Sequence, residues 1–191
     1  MKVQSAEAIA SRALCVWMLC IRANLEAQAM GDAKATARHE NLLKKYLAWA
    51  EQNGIAAHYS ADERDVIHRE FGKIPVEEIH ALGMRLQALG ALLWAIRRME
   101  LPPYHETIPA ALVQPLMPGG GDPVKEFLRT AQARPEDELS RERRRAEFWN
   151  WRCRCDQMRR MGMKPPKGQT YKKTIADAAD SAHKDGLIAA I

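Results

Sequence analysis

The most unusual chemistry in the sequence lies in an arginine-rich stretch over residues 135–161. Arg145, Arg152 and Arg159 recur every seven residues, which places them along one face of a helix. Another face carries an apolar stripe formed by Phe148, Trp151, Cys155 and Met158. A guanidinium is a planar fork that pairs with phosphates and carboxylates, so this row, together with Arg144, predicts a surface for nucleic acid or for an acidic protein.

Acidic residues are interspersed in the same stretch, and they support a second interpretation. Those at helical distance from the arginines are Glu136, Glu138, Glu142 and Glu147. Ion pairs between residues three or four apart would neutralise part of the cationic face and leave an ordinary solvated surface. The sequence leaves both interpretations open.

The four cysteines are Cys15, Cys20, Cys153 and Cys155, and both pairs lie in segments with strong helical character. Two residues apart on a helix, the last two sulfurs point about 200° apart, so they cannot hold one ion between them. The histidines and cysteines form no recognisable ligand spacing. We therefore expect free thiols, no metal site and no cofactor.

A second candidate region is a long loop over residues 101–121, where five prolines and the run Gly119–Gly121 disfavour regular structure. Tyr104 and His105, followed by Glu106, could supply a general base to a pocket beneath this loop. A single loop histidine is more often an ordinary surface residue, and no phosphate-binding or hydrolase motif accompanies it. An enzyme with an unrecognised pocket is therefore the third hypothesis.

Helices must position these residues. Apolar spacing and breakers predict helices over about residues 5–30, 33–53, 60–71, 75–96, 123–131, 135–161 and 170–185. Predicted capping residues are Asp32, Ser60 with Glu63, and Asp122. No strand-like alternation of useful length is present. We expect an all-α fold: one compact helical domain over 1–191, with the long loop at 101–121, the Arg-rich helix at 135–161 and a C-terminal helix and tail at 170–191.

The most regular apolar stripe belongs to the helix predicted over residues 75–96, which we expect to be central. Its apolar residues follow steps of three and four: Ile79, Leu82, Leu86, Leu89, Leu93 and Ile96. Gly83 and Gly90 share another stripe, which predicts close approach of a neighbouring helix. The side chains expected to be buried are Trp17, Leu86, Leu93 and Trp94.

Charge and hydropathy restrict the class of protein. The 191 residues carry a net charge of +5, and the 47% hydrophobic content excludes disordered and collagen-like chains. Residues 141–173 hold 12 basic and 3 acidic residues, so the basicity is local. No stretch resembles the roughly 20 apolar residues of a membrane span, and the apolar run at 13–21 has no basic leader before it. We expect a cytoplasmic protein that does not contact a membrane.

Three segments combine into a family pattern. The first is an alanine-rich helix that contains Arg12 to Leu14. In the second, Leu93 to Ile96 lead into Leu101 to Pro103, and in the third Arg134 to Glu136 precede Trp151 and Arg152. In this order the segments resemble the bacterial family called domain of unknown function 4272. The resemblance implies no established activity and no catalytic residue.

The resemblance also implies a further helix beyond the one predicted at 170–185, so the chain is expected to be a shortened member or a fragment. The apolar face left uncovered would then be loosely packed or would meet a second copy of the chain. Our leading functional hypothesis is non-enzymatic binding of another protein, in the manner of an immunity protein or antitoxin. The alternative is nucleic-acid binding through Arg144, Arg145, Arg152 and Arg159.

Overall fold

The computed structural model describes residues 4–165 and 168–184, and every regular element in these ranges is helical. The helices are α1 (Ala6–Ala29), α2 (Ala33–Gln52), α3 (Ala61–His68), α4 (Val76–Gly83), α5 (Arg85–Ala95), α6 (Ala110–Val113), α7 (Val124–Arg129), α8 (Glu136–Arg160) and α9 (Tyr171–Lys184). The predicted all-α fold class is confirmed. The chain divides into two compact units, unit 1 (Met1–Arg134) and unit 2 (Pro135–Ile191).

Helix α1 is the central element of unit 1, since it packs against α2, α4 and α5 and also contacts α3 and α7. Ser5 caps it by accepting a hydrogen bond from the Ala8 backbone N–H. By length and composition this helix could cross a membrane, so the expectation that no such stretch exists is wrong. In the structure, however, 67% of the apolar stretch of α1 is buried, because α2, α3, α4, α5 and α7 pack around it.

Helix α2 follows after a short turn and packs against α1, so the two helices form a hairpin. The Asp32 carboxylate caps α2 as predicted, because it accepts hydrogen bonds from the backbone N–H groups of Lys34 and Ala35 at 2.8 and 3.2 Å. These bonds satisfy N–H groups that have no partner inside the helix. The short helix α3 begins with the predicted capping box at Ser60 and Glu63, but it ends at His68 rather than near residue 71.

The single helix predicted over residues 75–96 is in fact two helices, α4 and α5, separated at Met84. Both helices pack against α1, so both keep their apolar residues on the side of the core. The regular spacing of those residues therefore continues across Met84, so the sequence pattern does not reveal the break between the two helices. Gly83 ends α4, in agreement with the low helix propensity of glycine.

Gly83 and Gly90 do not both face a neighbouring helix, contrary to the prediction. A Cβ atom added at Gly83 would have no neighbour within 4 Å. At Gly90 it would lie 2.2 Å from Cδ1 of Ile108, which belongs to the long loop. The close approach at Gly90 is therefore made by the loop and not by a neighbouring helix.

The long loop belongs to unit 1, where it packs against the helices, and it includes α6 and a 3₁₀ turn at Gln114–Leu116. The Gln87 side-chain amide holds it in the middle: its Oε1 accepts from the backbone N–H of Ile108 at 2.8 Å, and its Nε2 donates to the Ile108 carbonyl at 3.1 Å. Near the glycine run, Trp49 Nε1 donates to the Asp122 carbonyl at 3.2 Å. The loop is thus attached to α5 and to α2.

Asp122 does not cap α7, contrary to the prediction. Its carboxylate accepts a hydrogen bond from the backbone N–H of Gly119 at 2.8 Å, which closes the glycine turn. The N-cap position of α7 is occupied by Pro123, which makes no side-chain cap. The Asp122 carboxylate therefore stabilises the glycine turn and not the start of α7.

Burial agrees with the predicted core at two of four positions. Leu93 is fully buried and Trp94 is 9% exposed. Trp17 and Leu86 are half-buried, because they pack against the margin of the core rather than inside it. The expectation of full burial is therefore wrong for these two side chains.

Unit 2 consists of α8 and α9, which pack against each other. Helix α8 follows Pro135 as predicted and ends before Gly162, whose positive φ of 70° suits a residue without Cβ. The Thr170 hydroxyl caps α9 by accepting from the Lys173 N–H at 3.2 Å. The predicted end of this helix near Asp185 and the tail after it lie outside the described residues.

Candidate functional site

A cleft of about 570 Å³ opens between α8 and α9 in unit 2. This volume lies within the range of clefts that bind small ligands or side chains. The cleft is lined by Trp149, Arg152, Cys153, Asp156, Arg159, Lys172 and Ile175. Three of these side chains are cationic and one is a carboxylate, so the cleft carries positive charge.

Helical periodicity explains how the lining residues reach one cleft. The lining residues of α8 follow one another at steps of three, one, three and three positions, and this spacing keeps their side chains on one side of the helix. Helix α9 adds Lys172 and Ile175, three residues apart and therefore also on one side. The turn at Gly162 returns the chain so that the second helix can pack on the first.

Ion pairs divide the cationic side chains of the cleft into two kinds. The Asp156 carboxylate is held by Arg159 at 2.5 Å and by Arg160 at 2.7 Å. Arg152 is half-buried and has neither a hydrogen bond nor an ion pair within residues 4–165 and 168–184. Lys172 is exposed and likewise lacks an ion pair in the described part of the chain. Arg152 and Lys172 are thus the cations of the cleft that can take an external anion.

The predicted arginine row is only partly a free cationic surface. Arg145 lies 2.8 Å from the Glu142 carboxylate, and its side chain is 30% exposed. Arg145 and Arg159 therefore follow the ion-pair interpretation, whereas Arg152 has no ion pair in the described part of the chain. Arg144 is exposed and, like Arg145, does not line the cleft.

The sequence analysis missed the contribution of α9. Lys172 and Ile175 form the second wall of the cleft, and no local pattern identifies them. The available signal was the short Gly/Pro segment after α8, which predicts that the next helix folds back on it. Asp156 and Cys153 also belong to the lining and were not among the predicted binding residues.

The other predicted candidates, Tyr104 and His105, lie on exposed loop backbone. His105 Nε2 is 3.7 Å from Glu106 Oε1, and the two side chains are 72% and 57% exposed. A second cleft of about 430 Å³ lies at the glycine run, with a lining of Lys45, Ala48, Trp49, Gln52, Asn53, Gly120, Gly121, Asp122 and Pro123. Tyr104 and His105 line neither cleft, so neither residue is placed to act as a general base there.

Glu63 is the centre of a buried charge cluster in unit 1. The carboxylate receives hydrogen bonds from both terminal nitrogens of Arg12 and from the Ser60 backbone N–H at 3.0 Å. Arg85 lies 3.6 Å away. The paired Arg12 guanidinium lowers the pKa of Glu63 to about 2 from its usual 4.5, against the opposing effect of burial. The cluster ties α1 to α3, which is a structural task.

We expect this cluster to make the free energy of unfolding depend on pH. Because the folded state lowers the pKa of Glu63, the unfolded chain binds the additional proton between about pH 4.5 and about pH 2. The stabilisation is therefore complete above about pH 4.5 and disappears as the pH falls to about 2. Urea titrations of the wild type and Glu63→Gln across this range should show a stability difference that shrinks with acid. A constant difference would contradict the assignment.

The two cysteines of α1 are not poised for nucleophilic chemistry. Burial raises the pKa of Cys15 to about 11 and that of Cys20 to about 12. Both thiols therefore stay protonated at neutral pH, and the thiolate is the reactive form. Of the other two thiols, Cys155 is buried and Cys153 is exposed, consistent with opposite directions on α8.

Arg134 links two of the segments that carry the family resemblance. Its guanidinium stacks over the Trp94 ring at 4.8 Å, and its Nε donates to the Trp94 carbonyl at 2.7 Å. Its backbone N–H donates to the Ala95 carbonyl at 2.9 Å, and it also forms an ion pair with Glu100. These contacts join the last residue of unit 1 to the C-terminal end of α5.

The described helices define an all-α protein whose second unit carries a positively charged cleft. A family model described as Domain of unknown function (DUF4272) matches residues 1–175. The chain belongs to this family. No curated protein and no solved structure matches the sequence.

Proposed function

We propose that this protein acts by binding another protein, and that the cleft between α8 and α9 is the binding site. The observation that carries the proposal is Arg152, a half-buried guanidinium in the cleft wall without an ion pair in the described part of the chain. A partly buried charge interacts more strongly with an incoming counter-charge than an exposed one does, because less water screens it.

The pattern of ion pairs favours a protein partner over a nucleic acid. A phosphate backbone is bound by several contiguous free cations. Arg145 and Arg159, which flank Arg152 in the row, already pair with Glu142 and Asp156. Arg152 is therefore the one arginine of the row without an ion pair in the described part of the chain, and an isolated acidic side chain of a protein fits it better.

The proposed role is non-enzymatic and cytoplasmic. Neutralising a partner protein, as immunity proteins and antitoxins do, requires a stable binding surface and no catalytic group. The cytoplasmic location is supported by four free cysteines, since a reducing compartment keeps thiols unpaired. The proposal includes a second copy of the chain among the protein partners.

Affinity purification from the source organism tests the proposal. We expect tagged wild-type protein to retain a partner that Arg152→Glu loses, because charge reversal turns attraction into repulsion. Arg154→Glu is the matched control, since Arg154 is an exposed arginine of α8 outside the cleft lining. Quantitative mass spectrometry of the three eluates gives the answer. Equal recovery of every protein with all three variants would refute binding through the cleft.

Nucleic-acid binding is a second candidate because residues 141–173 hold 12 basic residues against 3 acidic ones. Affinity for a generic duplex should then fall by about 0.9 log units per log unit of salt for each phosphate contacted. Reversing Arg145, Arg152 and Arg159 together should abolish the binding. The absence of a mobility shift with DNA or RNA at low salt would remove this candidate.

A further inference from the structure

We infer that the cleft is selective for an acidic peptide segment in which an aspartate or glutamate adjoins a large apolar side chain. This inference rests on the proposed function and specifies the chemistry of the partner. It follows from the two kinds of surface that meet in the cleft, one apolar and one cationic.

The apolar surface is formed by Trp149 on α8 and Ile175 on α9. Both side chains are half-buried, so each still presents part of its surface to the cleft. Covering that surface with an aliphatic or aromatic side chain removes apolar area from water, at roughly 25 cal/mol per Å². A ligand without an apolar group would leave these walls uncovered.

The cationic surface is formed by Arg152 and Lys172 on opposite walls. Arg152 offers a planar fork that can donate two hydrogen bonds to one carboxylate, and Lys172 offers a point charge on a flexible stem. Neither has an ion pair elsewhere among the described residues. A single carboxylate can thus be held between the two helices, beside the apolar walls.

Asp156 lowers the positive charge of the cleft without removing it. Its carboxylate lines the same cleft and keeps 29% of its side-chain surface exposed, although Arg159 and Arg160 pair with it. The cationic side chains of the lining, which are Arg152, Arg159 and Lys172, outnumber this carboxylate. The cleft therefore attracts an acidic ligand.

Nuclear magnetic resonance titration with synthetic peptides tests the inference. The first peptide is Gly-Ser-Glu-Leu-Asp-Ser-Gly, the second replaces its leucine by serine, and the third replaces its acidic residues by glutamine and asparagine. We expect the first to shift the indole N–H signal of Trp149 and the amide signals around Arg152, and to bind about tenfold more tightly than either of the others.

Protein variants separate recognition from folding. Arg152→Gln should weaken the first peptide about tenfold, because it removes the charge while keeping most of the side-chain volume. Arg154→Gln should leave its affinity unchanged. The melting temperature of Arg152→Gln should equal that of the wild type, since no intramolecular partner is lost in the described part of the chain. A folded Arg152→Gln protein that binds the peptide normally would overturn the inference.

The outcomes also distinguish this inference from the proposed function. If the three peptides bind equally, or none binds at millimolar concentration, the peptide chemistry is wrong. Partner capture that still depends on Arg152 would in that case leave the proposed function intact. Loss of that dependence would refute the proposed function itself.

Discussion

Replacing Glu26 with glutamine is expected to lower the free energy of unfolding by about 3–5 kcal/mol, because it leaves a buried arginine without its counter-charge. Arg22 is 1% exposed and Glu26 is 3% exposed, and their side chains meet at 2.6 Å. The Glu26 carboxylate also accepts from the backbone N–H of Gly72 at 3.0 and 3.1 Å. Urea denaturation monitored by circular dichroism measures the change.

The control for Glu26→Gln is an exposed pair with the same spacing. Glu40 and Lys44 on α2 meet at 2.8 Å but are 42% and 66% exposed, so Glu40→Gln should cost no more than about 0.5 kcal/mol. The double variant Arg22→Met/Glu26→Leu should recover only part of the loss, because it removes both buried charges but leaves the Gly72 N–H and the carbonyls bonded by Arg22 without partners. A Glu26→Gln midpoint equal to that of Glu40→Gln would show that the buried pair is not coupled to folding.

Leu93→Ala should lower the free energy of unfolding by about 2–5 kcal/mol, the range for truncating a buried leucine where the surroundings relax only partly. Leu93 has 0% exposure and lies in the core around α1. Leu112→Ala is the matched control, since Leu112 in α6 is 55% exposed. An unchanged denaturation midpoint for Leu93→Ala would place the core of unit 1 elsewhere.

Elements defined by local chemistry were predictable from the sequence. Helix α8 lies between Pro135 and Gly162 because proline suits the start of a helix and glycine suits its end. The capping box at Ser60 joins residues only three positions apart. Neither feature requires knowledge of the remaining chain, so the sequence pattern was sufficient.

Features that depend on distant residues were not predictable in this way. The partner of Glu63 is Arg12, 51 positions away, and no periodicity relates the two. Lys172 enters the cleft only because α9 folds back on α8. The break at Met84 was concealed because the helices on both sides of it face the same neighbour, α1. Sequence spacing shows which side of a helix is apolar, but not where the helix bends.

The attachment of Ile108 to Gln87 shortens the free length of the connection that follows α5. A chain held at an intermediate point behaves as two short loops, and closing a loop costs entropy that grows only with the logarithm of its length. Both hydrogen bonds use backbone atoms of the loop, so the bonds themselves do not depend on which side chain stands at position 108. Residues 103–107, just before the attachment, are all exposed. Extra residues inserted there would add only about 0.6 kcal/mol for each doubling of that loop, so related chains can differ in length at this point without losing the fold.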